Sequence, residues 1–129
     1  RELLDLIAAA EIPMLLVTNT QRDIADIAIT TIDPGRFVAT VCGDEVAVGK
    51  PAPDIYLRAA EIAGAHPNTC LAIEDSPTGA AAAHAAGVPN LVVPSQIPVA
   101  PATKRVFRDT LAGLTLDEIT GLYAAAGGR

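Results

Sequence analysis

Aromatic residues are scarce in this chain. Of its 129 residues none is tryptophan, and only Phe37, Tyr56, Phe107 and Tyr123 carry rings. An all-β sandwich usually draws on aromatics for its core, so that architecture fits poorly. Runs of lysine or arginine are also missing, and the net charge is −6. The electrostatic footprint of a nucleic-acid-binding surface is therefore absent. No apolar stretch reaches the length of a membrane span, and no secretory signal pattern is visible. The two cysteines, Cys42 and Cys70, have no metal-ligand spacing. They read as reduced, buried thiols of a cytoplasmic protein, with a disulfide as the alternative. An initiator methionine is lacking too. The chain opens on Arg1-Glu2-Leu3-Leu4 inside a helical pattern, as a fragment would.

What the chain does have is aliphatic. Half of it is hydrophobic, mostly Ala, Val, Ile and Leu, and 129 residues suffice for one domain. A short continuous apolar run at Met14–Val17 has the character of a strand buried on both faces, and Phe37–Val41, Cys70–Ile73 and Leu91–Val93 are further strand candidates. Helical spacing lies between them, at Gln21–Thr31, from Pro53 to about Ala63, and from Pro77 to Gly87. A lead-in helix is expected over Arg1–Ala10, a turn at Asp33-Pro34-Gly35, and a last amphipathic helix over Thr115–Ala126. In that last helix Thr115 and Glu118 form a capping box. The β-α-β-α-β-α-β order predicts a doubly wound α/β fold on a parallel sheet.

In open parallel sheets, ligands bind beyond the carboxyl ends of the strands. Polar residues gather on that edge. The first strand runs into Thr18-Asn19, whose neutral donors suit phosphate oxygens but would equally cap the following helix. The second strand leads into Gly49-Lys50-Pro51-Ala52-Pro53-Asp54, where two prolines stiffen the backbone around Lys50. A lysine so held is an oriented charge for a phosphoryl group in transfer; otherwise it is a solvated surface lysine. Adjacent carboxylates, Glu74 and Asp75, follow the third strand. Both ionised in a dry site, they would repel, and a hard cation such as Mg2+ would neutralise them. Ser76 would support those carboxylates or cap the helix that Pro77 starts, and Gly79 suits close helix–sheet packing. His66 and His84 are not spaced as a metal pair, and the glycines form no P-loop or dinucleotide motif.

Taken in order, three blocks resemble the haloacid dehalogenase (HAD)-like superfamily, in its phosphoglucomutase-like and phosphatase branch. Leu15-Leu16-Val17-Thr18-Asn19 resembles the second motif of that family. The lysine block Gly49–Tyr56 resembles the third, and Cys70–Gly79, running on through Ala86-Gly87-Val88, the fourth, acidic motif. The resemblance implies a Rossmann-like core and an enzyme that hydrolyses phosphate monoesters through an aspartyl phosphate. It implies that Thr18 and Asn19 meet the phosphoryl group, that Lys50 stabilises its charge, that Glu74 and Asp75 hold Mg2+, and that Ser76 supports them. The implied substrate is a small phosphorylated metabolite.

The first motif of that family, an Asp-x-Asp bearing the nucleophile and the acid/base, occurs nowhere in the chain. Asp23 and Asp26 lie on an expected helix and cannot replace it. Residues 1–129 therefore read as a partial core domain holding motifs two to four, without the nucleophile strand and without the cap that selects substrate. Such a piece is expected to be inactive alone, with a gap or raw edge in its sheet unless an N-terminal segment or a second chain completes it. A phosphomutase of the same superfamily and a non-catalytic binding module that retains the fold are the alternatives. Metal-free dehalogenases fit the acidic pair poorly. A phospho-acceptor receiver domain carries its acidic pair and its lysine in the opposite order.

Overall fold

In the computed structural model, which describes residues 2–19, 21–22 and 37–128, the apolar runs pair as parallel strands. β1 (Leu15–Thr18) pairs with β2 (Ala39–Cys42), Leu15 beside Ala39 and Thr18 beside Cys42. β3 (Ala72–Glu74) pairs with β4 (Asn90–Val92), and β4 with β5 (Arg105–Phe107). The expected parallel α/β architecture is present, but as a two-stranded and a three-stranded sheet, because β1 and β3 do not pair. The expected helix over Gln21–Thr31 and the turn at 33–35 lie largely outside the described residues.

Among the described residues four α-helices accompany the strands: α1 (Glu2–Ala9), α2 (Asp54–Ala63), α3 (Pro77–Ala85) and α4 (Leu116–Ala125). Each of the last three begins where the local chemistry stops extended chain. Pro53 precedes α2 with Asp54 in its first turn, where an acid suits the helix dipole. Ser76 caps α3 by accepting from the Gly79 N–H at 3.2 Å, with Pro77 at its first position. Thr115 and Glu118 form the expected capping box on α4. Gly64 ends α2 with φ +66°, a left-handed conformation that glycine adopts without a Cβ penalty.

Burial divides the fold into two layers. On one side Ile55, Tyr56 and Ala59 of α2 and Ala82 and Ala83 of α3 pack with Val41 and Ala72, joined by Leu15 and Val17. This helical layer spans both sheets. On the other side Leu91 and Leu114 are packed by Ile7 of α1 and by Ile119 and Leu122 of α4. Side chains alternate along a strand, so Ala72 and Glu74 face the α2–α3 layer while Ile73 faces away. Alanines at 80, 82, 83 and 86 are buried, which lets α3 lie close to the sheet.

β5 was not apparent from the sequence. It is three residues long and starts on an arginine, so it lacks an apolar run. Non-local bonds fix it: the Arg105 guanidinium donates to Asn90 Oδ1 at 3.0 Å and to the Ala80 carbonyl at 3.1 Å. Asn90, fully buried, donates in turn to the Val88 and Lys104 carbonyls.

Both cysteines are free thiols, Cys42 buried and Cys70 partly buried. Burial pushes both thiols above their ordinary value. Since the thiolate is the nucleophile, both should react slowly with Ellman's reagent at pH 8, Cys70 ahead of Cys42. Denaturation should release both at once, which absorbance at a fixed reagent concentration will read. Immediate labelling of Cys42 in the native protein would contradict its placement.

Candidate active site at the carboxyl ends of β1 and β3

The strand ends bring the polar residues together around one ammonium group. Lys50 follows β2 and reaches across the break between the sheets. Its Nζ donates to the Val17 carbonyl of β1 at 3.2 Å and to Glu74 Oε2 of β3 at 2.8 Å. The lysine side chain is 11% exposed and that of Glu74 7%, so this is a largely desolvated pair. Buried charges persist when paired and fully hydrogen-bonded. Tyr56, on the first turn of α2, adds a further donor to the pair, its hydroxyl also donating to Glu74 Oε2. Lys50 Nζ lies 5.5 Å from the centroid of the Tyr56 ring, within cation–π range. Burial, reinforced by the Glu74 charge, holds the Tyr56 phenol well above its ordinary pKa, so it stays a proton donor.

The acidic pair is arranged differently from its sequence-level reading. Glu74 is the last residue of β3 rather than the first after it, and its side chain points into the α2–α3 layer, 8% exposed. Asp75, the next residue along the chain, is exposed. The two carboxylates thus differ in exposure, and the cation seen beside Glu74 is the Lys50 ammonium. Gly79 on α3 makes room for Glu74: a Cβ there would lie 1.8 Å from Glu74 Oε1. The carboxylate therefore rests against the first turn of α3, where the helix dipole favours negative charge.

Thr18 ends β1, partly buried, between Val17 and Asn19. Asn19 does not point away from the cluster. Its Oδ1 accepts from the Lys50 N–H at 2.7 Å and its Nδ2 donates to the Lys50 carbonyl at 3.2 Å. Ser76 serves as the cap of α3, its hydroxyl also 3.3 Å from Thr78 Oγ1. His66 Nδ1 accepts from the Asn68 N–H in a tight turn, and His84 is exposed on α3.

The structure thus gathers Asn19, Lys50 and Glu74 by direct bonds, with Thr18 and Asp75 beside them along the chain. Tyr56 was overlooked in the sequence. The available signal was a tyrosine on the buried face of the helix that directly follows the lysine loop.

Whether the residues suit a metal can be judged from the donors. Lys50 and Tyr56 both use Glu74 Oε2, which leaves Oε1 and the exposed Asp75 carboxylate. Oε1 rests against Gly79, so the exposed Asp75 carboxylate is the accessible donor, and one carboxylate with places left for water or substrate oxygens fits a Mg2+-type ion. Among the described residues, the one cluster of three acidic or thiol ligands is elsewhere, at Cys42, Asp44 and Glu45. There Arg22 already bonds Glu45 at 2.6 Å and Asp44 at 3.2 Å. That arginine bond holds the Glu45 carboxyl below its ordinary value.

A parallel α/β fold with a lysine, a buried glutamate and a threonine at the strand ends places its polar cluster at the edge where such sheets bind ligands, as in α/β enzyme cores. The chain belongs to the haloacid dehalogenase-like hydrolase family, whose model matches residues 1–87. It is 43% identical over 99 residues to Protein CbbY of Rhodobacter capsulatus, covering 74% of this chain and 44% of that protein. To hexitol phosphatase B of Escherichia coli K12 it is 33% identical over 122 residues, covering 95% of this chain and 49% of the relative. Among solved structures, CbbY from Rhodobacter sphaeroides in complex with phosphate superposes with a TM-score of 0.81 at 30% identity, covering 92% of this chain and 56% of that one. The chain spans about half the length of the curated relatives it matches. No helix among the described residues is long and apolar enough to cross a membrane.

Proposed function

We propose that the full-length protein is a Mg2+-dependent phosphate monoester hydrolase acting on a small phosphorylated metabolite in the cytoplasm, and that residues 1–129 are part of its core domain. The observation that carries this reading is Lys50: a buried ammonium fixed by Val17, Glu74 and the Tyr56 ring at the edge where ligands bind. A charge positioned before the substrate arrives stabilises a phosphoryl group in transfer without reorganisation. Thr18, one residue beyond the carbonyl that Lys50 touches, offers its hydroxyl to a phosphoryl oxygen. Asp75, with the negative charge of Glu74 next to it in the chain, would hold Mg2+, which when bound supplies positive charge toward the phosphoryl oxygens. Ser76 acts on Asp75 indirectly, by fixing the start of α3.

The attacking carboxylate is assigned to residues outside this chain, since no Asp-x-Asp occurs in it. The split sheet supports that assignment. Met14 directs its carbonyl toward β2, and Glu74 directs its own toward β4. By alternation, Val17 and Ile73 direct their backbone groups to the edges where β1 and β3 have no strand partner among the described residues. An extended strand from an N-terminal segment or a second chain would complete the sheet there and bring its polar end to Lys50.

The test compares the full-length protein with residues 1–129 on a panel of sugar and polyol phosphates, reading released phosphate. Turnover is expected from the full-length protein only, lost with chelator and restored by Mg2+. Activity that survives metal removal would reject the metal assignment, and turnover by the 129-residue chain would reject an external nucleophile.

A further inference from the structure

Asn19 holds Lys50 by its backbone, while Lys50 is held at its other end by Val17 and Glu74. The carboxamide of Asn19 makes a two-point contact with a single residue: Oδ1 accepts from the Lys50 N–H at 2.7 Å, and Nδ2 donates to the Lys50 carbonyl at 3.2 Å. It does for this loop what a neighbouring strand does for a sheet residue. The surroundings make room for the carboxamide. A Cβ at Gly49 would lie 2.7 Å from Asn19 Oδ1, and one at Gly43 would lie 2.3 Å from the Asn19 carbonyl oxygen. Glycines on both sides of the loop after β2 therefore allow the backbone to approach Asn19. The lysine ammonium then turns back to the Val17 carbonyl, two residues before Asn19 on the same chain segment. Lys50 is thus fixed at both ends against the last residues of β1, and its direction follows from where Asn19 lies.

We infer that Asn19 is a positioning residue for Lys50, acting on the phosphoryl group through the lysine rather than by binding substrate itself. This rests on the reading that Lys50 faces the phosphoryl group. The competing role is chemically specific. An amide nitrogen has two hydrogens, so Nδ2 could give one to Lys50 and the other to a phosphate oxygen. The two roles differ in what happens once the lysine is gone. A residue that works through Lys50 has nothing left to act on in a Lys50→Ala background, whereas one that touches substrate still does.

The experiment is a double-mutant cycle in the full-length protein, N19A, K50A and both, with kcat and KM for a phosphate monoester. Amide hydrogen exchange at Lys50 is measured alongside. N19A alone should lower kcat about tenfold with KM changed less than about twofold, and adding N19A to K50A should change kcat by less than about twofold. Exchange at the Lys50 amide should accelerate at least about tenfold in N19A while exchange within β1 is unchanged. Multiplying effects, or a KM rise with kcat retained, would overturn the inference in favour of substrate contact. Unchanged exchange at the Lys50 amide would also overturn it. If K50A alone leaves kcat unaltered, the phosphoryl reading fails, and the exchange experiment still decides separately whether Asn19 holds the lysine.

Discussion

Replacing Lys50 by alanine in the full-length protein should lower kcat by about 10²–10³-fold, the usual cost of removing one preorganised charge-stabilising donor. The same change should reduce folding stability. Glu74 would keep the Tyr56 hydroxyl and the first turn of α3 but lose its counter-charge in a site where its side chain is only 7% exposed. Breaking one side of a buried pair costs about 3–5 kcal/mol, and the retained tyrosine bond places this case near the lower figure. The two effects separate experimentally. Thermal unfolding of the full-length protein reads the stability loss, and its steady-state kinetics read the catalytic loss. Glu74→Gln in combination with Lys50→Ala should recover much of the stability, because no unpaired charge then remains, while kcat stays low. A single K50A variant with normal kcat would remove Lys50 from the chemistry altogether.

The second large effect is expected at a position without a side chain. Gly79→Ala places a Cβ 1.8 Å from Glu74 Oε1, 2.3 Å from its Cδ and 2.8 Å from Oε2. No carboxylate can remain there, so either Glu74 rotates away from Lys50 and Tyr56 or α3 lifts from the sheet. Alanine is otherwise the better helix former by about 1 kcal/mol, so propensity alone forecasts stabilisation. The steric term should win. Overpacking of this kind costs about 1–3 kcal/mol, and disrupting the buried ion pair adds to it. Unfolding should therefore begin at a lower temperature, and kcat of the full-length protein should fall with it. A G79A protein at least as stable as the parent would show that Glu74 does not rest against α3.

Both effects converge on an ion pair whose members lie 24 residues apart in sequence, and this explains which features could be read in advance. Local chemistry sufficed for the helices. Ser76, Pro77 and the Thr115–Glu118 box set helix starts through groups within three residues of each other. The apolar runs marked four strands to within about two residues, but complete burial holds for β4 alone: β1 is partly buried throughout and Ile73 of β3 is exposed. β5 had no such run and escaped notice, since its pairing depends on Asn90 and Arg105 across 15 residues. The glutamate was read as following its strand, whereas one more residue of pairing with Val92 turns its side chain inward. Alternation from Ala72 sets that face.

The sequence by itself determined the class of fold and the family, and it marked Lys50 and Glu74 while passing over Tyr56, because periodicity, caps and motif order are encoded within short windows. Only the tertiary structure decided how those residues divide the work. It separated Glu74 from Asp75 by burial, gave Glu74 to Lys50 and Tyr56, and tied Asn19 to the lysine backbone 31 residues away. It also left β1 and β3 without each other as partners. The physical reason is that ion pairing, desolvation and strand pairing depend on proximity in space, and proximity is set by how the helices and sheets pack.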